Sequence, residues 1–307
     1  MITGTPTNDD FYSTASHMVN EAWESVCSLG FPYSKYLSEN NVRKKCNLEL
    51  IDLSYYWAYA NPKLISAFSL VQQSVEFRLK GIICNISPYL LISNSVTSPP
   101  KKVGGKINYS DFYTLDAKDL LKVIDTFTDV TLGDDFTRKF NNMRALRNSF
   151  MHSVNYESLI TFESIIDLIC YMHKTLNPNE PDWFLYRYNY MVKHSSNGID
   201  FDKEYSRGMA FKPAVEAVEM FNVHVEFNTV IALLSPELTR KHFDYIKNHK
   251  KKRSYKCIFC SELIDRSQRI HANNDDTFFV GRSTVQASKT SPEIGVCAIC
   301  KKNQNIN

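Results

Sequence analysis

Lys63-Leu-Ile-Ser-Ala-Phe-Ser-Leu-Val-Gln-Gln-Ser-Val-Glu-Phe-Arg-Leu-Lys-Gly-Ile-Ile-Cys-Asn-Ile-Ser87 decides the fold class. Leu64, Phe68, Val71, Val75, Leu79, Ile82 and Ile86 recur at spacings of three and four, the period of one helix face. The other face carries Gln72, Glu76 and Lys80, with Glu76 four residues before Lys80, the favourable order for a helical ion pair. Outward from this stretch the same period returns. Asp116–Thr131 repeats it through Leu120, Ile124 and Phe127; Phe136–Ser153 follows; Glu157–Leu176 carries Leu159, Phe162, Ile166, Ile169 and Leu176. Asp10–Leu29 and Leu50–Tyr59 predict two helices before the long one, and Trp183–Lys193 and Ala214–Leu234 two after it. With 10 glycines and 11 prolines in 307 residues, breakers are sparse, and an all-α protein is expected.

Ser93–Ser110, rich in Ser, Pro, Gly and Lys, reads as a loop, and its length exceeds the ~12 to 15 residues usual for an unstructured connection. After Lys256 cysteines cluster, turn and β-branched residues dominate, and helical periodicity fades. The expected organisation is a helical domain over 1–235, a basic helix or linker over 236–256, and a small cysteine-bearing module over 257–307.

Apolar residues make up 43% of the chain, enough for a packed core, and charged residues 22%. No window reaches the roughly 20 apolar residues of a membrane-spanning helix, and the N-terminus lacks the basic-then-apolar order of a signal peptide, so a cytoplasmic protein is expected. Charge is unevenly spread. Thr239–Lys256 holds eight Lys or Arg residues against Asp244, a net +7 on a chain whose total is +3. Such a block suits a polyanion through counterion release, and equally a solvated helix end joining two domains. Lys250, Lys251, Lys252 and Arg253 are its densest part and, with Arg144, the candidate nucleic-acid contacts.

Four of the eight cysteines (Cys27, Cys46, Cys84, Cys170) are scattered in helical or apolar contexts. The other four form two C-x-x-C pairs, Cys257/Cys260 and Cys297/Cys300, separated by 36 residues. Each two-residue spacer turns both sulfurs toward one ion, the pattern of a tetrathiolate zinc site. Four thiolates leave no open coordination position, so the zinc would be structural. Two knuckles with His271 between them also loosely resemble the frame of HNH endonucleases. Ile270 stands where that family has an acidic residue, and Pro292-Glu-Ile-Gly-Val296 lacks its asparagine.

Asn141-Asn-Met-Arg-Ala-Leu-Arg147-Asn148-Ser-Phe-Met-His152-Ser is the second signal. Asn148 and His152 lie at i and i+4 on one helix face, Arg144 one turn before, and Arg147 about 100° round, within reach of the same point. This segment resembles the HEPN superfamily, whose signature is an arginine, often followed by a polar residue, and then a histidine after a gap of four to six residues. Spacing alone is weak: Arg187/His194 and Arg266/His271 also satisfy it, and twelve arginines with eight histidines make about one chance match expected. Context favours Arg147, late in a polar-faced helix after a long helix and a loop. The Gln72-Gln-Ser-Val-Glu76-Phe-Arg-Leu-Lys80 stretch is similar to the family's acidic-then-lysine pattern, and the resemblance covers about residues 60–177.

The resemblance implies a HEPN-like helical bundle, here followed by a zinc-ribbon or treble-clef-like module. It also implies a metal-independent endoribonuclease in toxin–antitoxin or antiviral-defence settings, an antitoxin or sensor subunit, and a homodimer with a composite active site. The chemistry agrees: histidine carries protons near neutral pH, and arginine clamps two phosphate oxygens with a charge it never loses. Arg147, Asn148 and His152 are the candidate catalytic residues, with RNA as substrate and no catalytic metal. A HEPN-like scaffold that binds nucleic acid or protein without cleaving is the alternative.

Overall fold

A computed structural model describes residues 1–93, 100–152, 160–196, 205–247, 255–270, 284–287 and 294–306. At 151–152, 196, 205–213, 266–270 and 287 only the backbone is described. Helix dominates, as expected. The order is β1 (Ile2–Thr3), α1 (Asn8–Lys45), α2 (Ser54–Ile86), β2 (Ile107–Asn108), α3 (Ala117–Phe127), α4 (Asp134–His152), α5 (Phe162–Leu176), α6 (Trp183–Ser196), α7 (Tyr205–Leu233), α8 (Pro236–Phe243), α9 (Ile258–Ile270), β3 (Val285–Ala287), β4 (Ile294–Cys297) and β5 (Asn303–Asn305). Among the described residues no helix is long and apolar enough to cross a membrane.

The chain groups into two compact units: Met1–Val26 with Leu53–Thr161, and Cys27–Asp52 with Phe162–Asn307. These divisions fall elsewhere than the composition boundaries at 235 and 256. Helix α5 joins the cysteine-bearing half, because its apolar face is buried among the helices that follow it.

In the first unit α2 is the central helix. Leu64, Phe68, Val71, Val75, Leu79 and Ile83 are buried, so the stripe shifts from the expected Ile82 to Ile83, and Ile86 is left 56% exposed. Gln72, expected on the polar face, is buried and donates to Glu76, while Lys80 reaches the Thr114 hydroxyl. The predicted Glu76–Lys80 ion pair does not form, because each side chain has a nearer partner. The expected helices at 50–59 and 63–87 are one: α2 runs through Pro62, held by Ala60 and Leu64, both fully buried on either side of it. The lost hydrogen bond is outweighed by a continuous apolar face. Gly81 lets the Tyr12 ring approach; a Cβ there would lie 2.3 Å from it. Helix α3 packs on α2 through Leu120 and Ile124, and Phe150 of α4 meets Phe68 edge-on at 6.1 Å. Within the expected 93–110 loop, β2 pairs in parallel with β1 through Ile2–Ile107 and Thr3–Asn108.

In the second unit α7 packs on α6, α5 and α9. Helix α1 continues past the expected end at Leu29, and Gly30 is why α7 can approach it: a Cβ would sit 2.6 Å from Leu233 Cδ1. Phe184 of α6 contacts Phe227 of α7 and Phe243 of α8. Ser235 caps α8 by accepting from the Leu238 amide, and its own amide donates to Glu163 at 2.7 Å. Helical structure does not fade after 257: α9 opens with the first cysteine pair. Its buried stripe is Cys257, Cys260 and Ile264, a helical spacing that cysteines conceal from a reading of Leu and Ile alone. Strands β3, β4 and β5 form an antiparallel sheet, with Val285 opposite Cys297 and Val296 opposite Asn303.

Candidate metal centre and polar helix

The two C-x-x-C pairs arrive from different secondary structures. Cys257 immediately precedes α9 and Cys260 lies in its first turn, while Cys297 ends β4 and Cys300 lies in the turn that follows. One amide in each knuckle is aimed at a sulfur: Cys260 N–H at Cys257 Sγ (3.5 Å) and Ile299 N–H at Cys297 Sγ (3.4 Å). Gln304 of β5 ties the first knuckle to the sheet, accepting from the Ile258 amide and donating to the Lys256 carbonyl, each at 2.9 Å. Lys301 pairs with Asp182 at the start of α6 at 2.7 Å, docking the second knuckle.

All four sulfurs lie within 4.8 Å of one another, with Cys257–Cys300 at 3.5 Å and Cys260–Cys297 at 4.0 Å. A tetrahedron with metal–sulfur bonds of about 2.3 Å has edges of about 3.8 Å. The observed separations match that cage and are far longer than a disulfide's ~2.05 Å. Cys257, Cys260 and Cys297 are buried. The thiols titrate as a set: hydrogen bonds from Cys257, Cys260 and Cys300 push the Cys297 thiol well below its ordinary pKa, and Cys260 is pushed up in exchange. The four residues fit a metal ion, and zinc is compatible with them.

His224 of α7 was not singled out by its sequence context, Val223-His224-Val225, where it reads as part of an apolar run. It is 3% exposed, and neither ring nitrogen has a hydrogen-bond partner among the described residues. Burial pushes its pKa down to about 4, against a smaller opposing pull from Cys297.

Helix α4 presents its candidate residues differently. Phe136, Phe140, Met143 and Phe150 form its buried stripe, and Arg147 falls on that stripe between Met143 and Phe150. It is half-buried, and no described residue forms an ion pair with it. Asn148 is exposed one position on, and His152 is the last residue of the helix, one turn beyond Asn148. Arg144 leans back from them, its Nη1 3.4 Å from Asn141 Oδ1 and its guanidinium 6.0 Å from the Phe140 ring centre.

The two rival arginine–histidine spacings differ in kind. Arg187 is 2% exposed and grips Glu226 through both Nε and Nη2, at 2.9 Å for the closest pair, so no phosphate can take its place. The side chain of Arg266 and all of His271 lie outside the described residues.

Part of the basic run is spent within the fold. Lys241 and His242 both reach Asp167 Oδ1 at 2.7 Å, clamping α8 to α5. Lys247 donates to the Leu234 carbonyl at 2.7 Å and the Ala232 carbonyl at 3.3 Å, closing the end of α7. Arg240 and Lys256 are exposed. Lys250, Lys251, Lys252 and Arg253 lie outside the described residues. The chain matches no protein-family model, no curated protein and no solved structure.

Proposed function

We propose that the chain is a HEPN-like endoribonuclease that cuts RNA without a catalytic metal, with zinc holding its cysteine module together. The observation that carries this reading is the last two turns of α4. There a half-buried guanidinium with no anionic partner among the described residues stands beside an exposed amide and one turn from a histidine. A cation on an apolar stripe is costly to leave unmatched, and a phosphate would match it.

In this reading His152 takes the proton from the 2′-hydroxyl or returns one to the leaving oxygen. Arg147 holds the non-bridging oxygens and stabilises charge on the pentacovalent phosphorus, and Asn148 orients the imidazole or the phosphate. One chain supplies one such histidine, whereas in-line cleavage uses two proton carriers. A homodimer that brings two α4 helices to one phosphate would provide both. Cys257, Cys260, Cys297 and Cys300 would hold zinc, which supplies structure and takes no part in the cleavage. A toxin or antiviral role, with an antitoxin or sensor subunit as regulator, follows from the family resemblance alone.

A non-cleaving scaffold is the second reading, favoured by the internal use of Lys241, His242 and Lys247, which leaves fewer cations for RNA. Incubating the purified full-length chain with total RNA, with and without EDTA, separates the two. Cleavage that survives the chelator and is lost in His152→Ala is the expected result. RNA binding without cleavage in either protein would establish the scaffold.

A further inference from the structure

The two knuckles share one spacing and treat the residues inside it in opposite ways. In Cys297-Ala-Ile-Cys300 both spacers are buried, with Ala298 7% and Ile299 0% exposed. In Cys257-Ile-Phe-Cys260 both face solvent, with Ile258 52% and Phe259 39% exposed. Scattered apolar side chains on a surface are ordinary, but this pair stands on a backbone that is tied down. Tyr255 exchanges two backbone hydrogen bonds with Val285, each 3.1 Å, and these fix the chain as it enters the knuckle. Gln304 then holds the Lys256 carbonyl and the Ile258 amide. The knuckle cannot turn its spacers inward without breaking those bonds.

Cations flank the exposed ring. Lys302, two residues before Gln304 on the same stretch of chain, places its ammonium 4.7 Å from the centre of the Phe259 ring. Lys256 and Lys302 are exposed and form no ion pair among the described residues, whereas Lys301 is taken by Asp182. From Lys250 to Cys260 the sequence carries Lys250, Lys251, Lys252, Arg253 and Lys256 and no carboxylate; the next acid is Glu262, beyond the knuckle on α9. An aromatic face among unmatched lysines offers stacking and charge to one ligand. A purely apolar partner would leave the ammonium groups unmatched, and a duplex keeps its base faces inside its own stack. An unpaired nucleotide supplies both a base face and a phosphate.

We propose that the first knuckle is a platform for single-stranded RNA: an unpaired base stacks on Phe259 beside Ile258, and Lys256 and Lys302 meet the flanking phosphates. The proposal rests on the reading of RNA as the substrate and deepens it, naming an unpaired segment as what the cysteine module grips. Because the backbone is held before RNA arrives, little ordering is left for binding to offset.

The test uses the full-length chain and two probes. One is a fluorescein-labelled 2′-O-methyl oligouridine, which has no free 2′-hydroxyl and cannot be cut. The other is a fully paired RNA duplex with the same number of phosphates. Phe259→Ala should weaken oligouridine binding about fivefold to a hundredfold, the effect of losing one stacked base, and leave duplex binding and the salt dependence nearly unchanged. Phe259→Trp should bind at least as well as wild type. Lys256→Gln combined with Lys302→Gln should weaken both probes and flatten the dependence of affinity on salt. In the wild-type chain, light-driven crosslinking of an oligouridine carrying 4-thiouridine should fall on Ile258 or Phe259. Unchanged oligouridine affinity in Phe259→Ala, or an equal loss for the duplex, would overturn the proposal. A Phe259→Ala defect confined to phosphatidylserine vesicles would overturn it too, making the knuckle a membrane contact. If that variant does not fold, the wild-type crosslink decides alone, and crosslinks confined to other residues overturn the proposal equally. A wild-type chain that binds neither probe and cuts no RNA would remove the RNA reading itself, whereas one that cuts RNA with an indifferent Phe259 removes only this step.

Discussion

The cysteine module and the end of α4 are both made of polar residues at short spacing, but they close in different ways. The module gathers its candidate ligands within one chain: four sulfurs within 4.8 Å of one another, held by knuckle amides and by the Gln304 side chain. The α4 site is open. Arg147 has no described counter-charge and Asn148 faces solvent, and the proposed cleavage would take its second proton carrier from elsewhere. A site that binds a resident ion can be satisfied in the fold. One that binds a passing phosphate has to leave its cation unsatisfied until the ligand arrives.

The largest effect should come from the closed site. Removing zinc, or replacing Cys297 with Ser, should unfold residues 257–307, because the module has little apolar core of its own. Elemental analysis should find one zinc per chain, and proteolysis should cut the module once the metal is stripped. No zinc, or a protease-resistant Cys297→Ser module, would break the comparison at its stronger half.

The open site predicts a large loss of rate with little loss of stability. Arg147→Ala and His152→Ala should each lower RNA cleavage by at least about 10² while leaving the melting temperature nearly unchanged. Mixed in equal amounts, the two inactive proteins should regain some activity if each composite site draws its arginine and histidine from different chains. Arg187→Ala should do the reverse, since it strips a buried carboxylate of its partner and should cost about 3–5 kcal/mol of stability. If Arg147→Ala destabilises as Arg187→Ala does, Arg147 is structural and the scaffold reading gains.

Acid should loosen the α5–α8 clamp before it reaches the core. The hydrogen bond from His242, joined by Lys241, holds the Asp167 carboxyl well below the usual carboxylate range. Its contribution is therefore fully present above the ordinary carboxylate pKa of 3.8 and is lost as pH falls through the lower folded value. Thermal melts of Asp167→Asn should be less stable than wild type at pH 7 and converge with it in acid. Parallel curves at all pH values would show that the clamp carries no net stability.

The smallest effect on stability belongs to the basic run. Replacing Lys250, Lys251, Lys252 and Arg253 with Gln should weaken RNA binding and flatten its salt dependence, with turnover at saturating RNA preserved. Lys247 is excluded from that set because it closes α7, and its replacement should lower the melting temperature instead.

Helical class was legible because burial imposes a period on leucine, isoleucine, valine and phenylalanine, and α2 through α7 carry it. The bounds were less legible where a breaker sits inside a long helix: the expected helices ended at Leu29 and Tyr59, yet α1 runs on through Gly30 and α2 through Pro62. Helix α9 was hidden because its stripe is written in cysteine, which announces metal before it announces helix.

The sequence by itself determined the helical class and the four candidate ligands, since periodicity and C-x-x-C spacing are local and each knuckle aims its own sulfurs. Only the tertiary structure decided which arginine is available. Arg147 and Arg187 both fall within the same range of gaps to a histidine, and what separates them is a carboxylate 39 residues from Arg187 that folding brings to its guanidinium. The same holds for Lys241 and Lys247, whose roles are set by Asp167 and the end of α7. Charge and hydrogen-bonding capacity belong to the residue, but whether they are spent inside the molecule depends on partners distant in the chain.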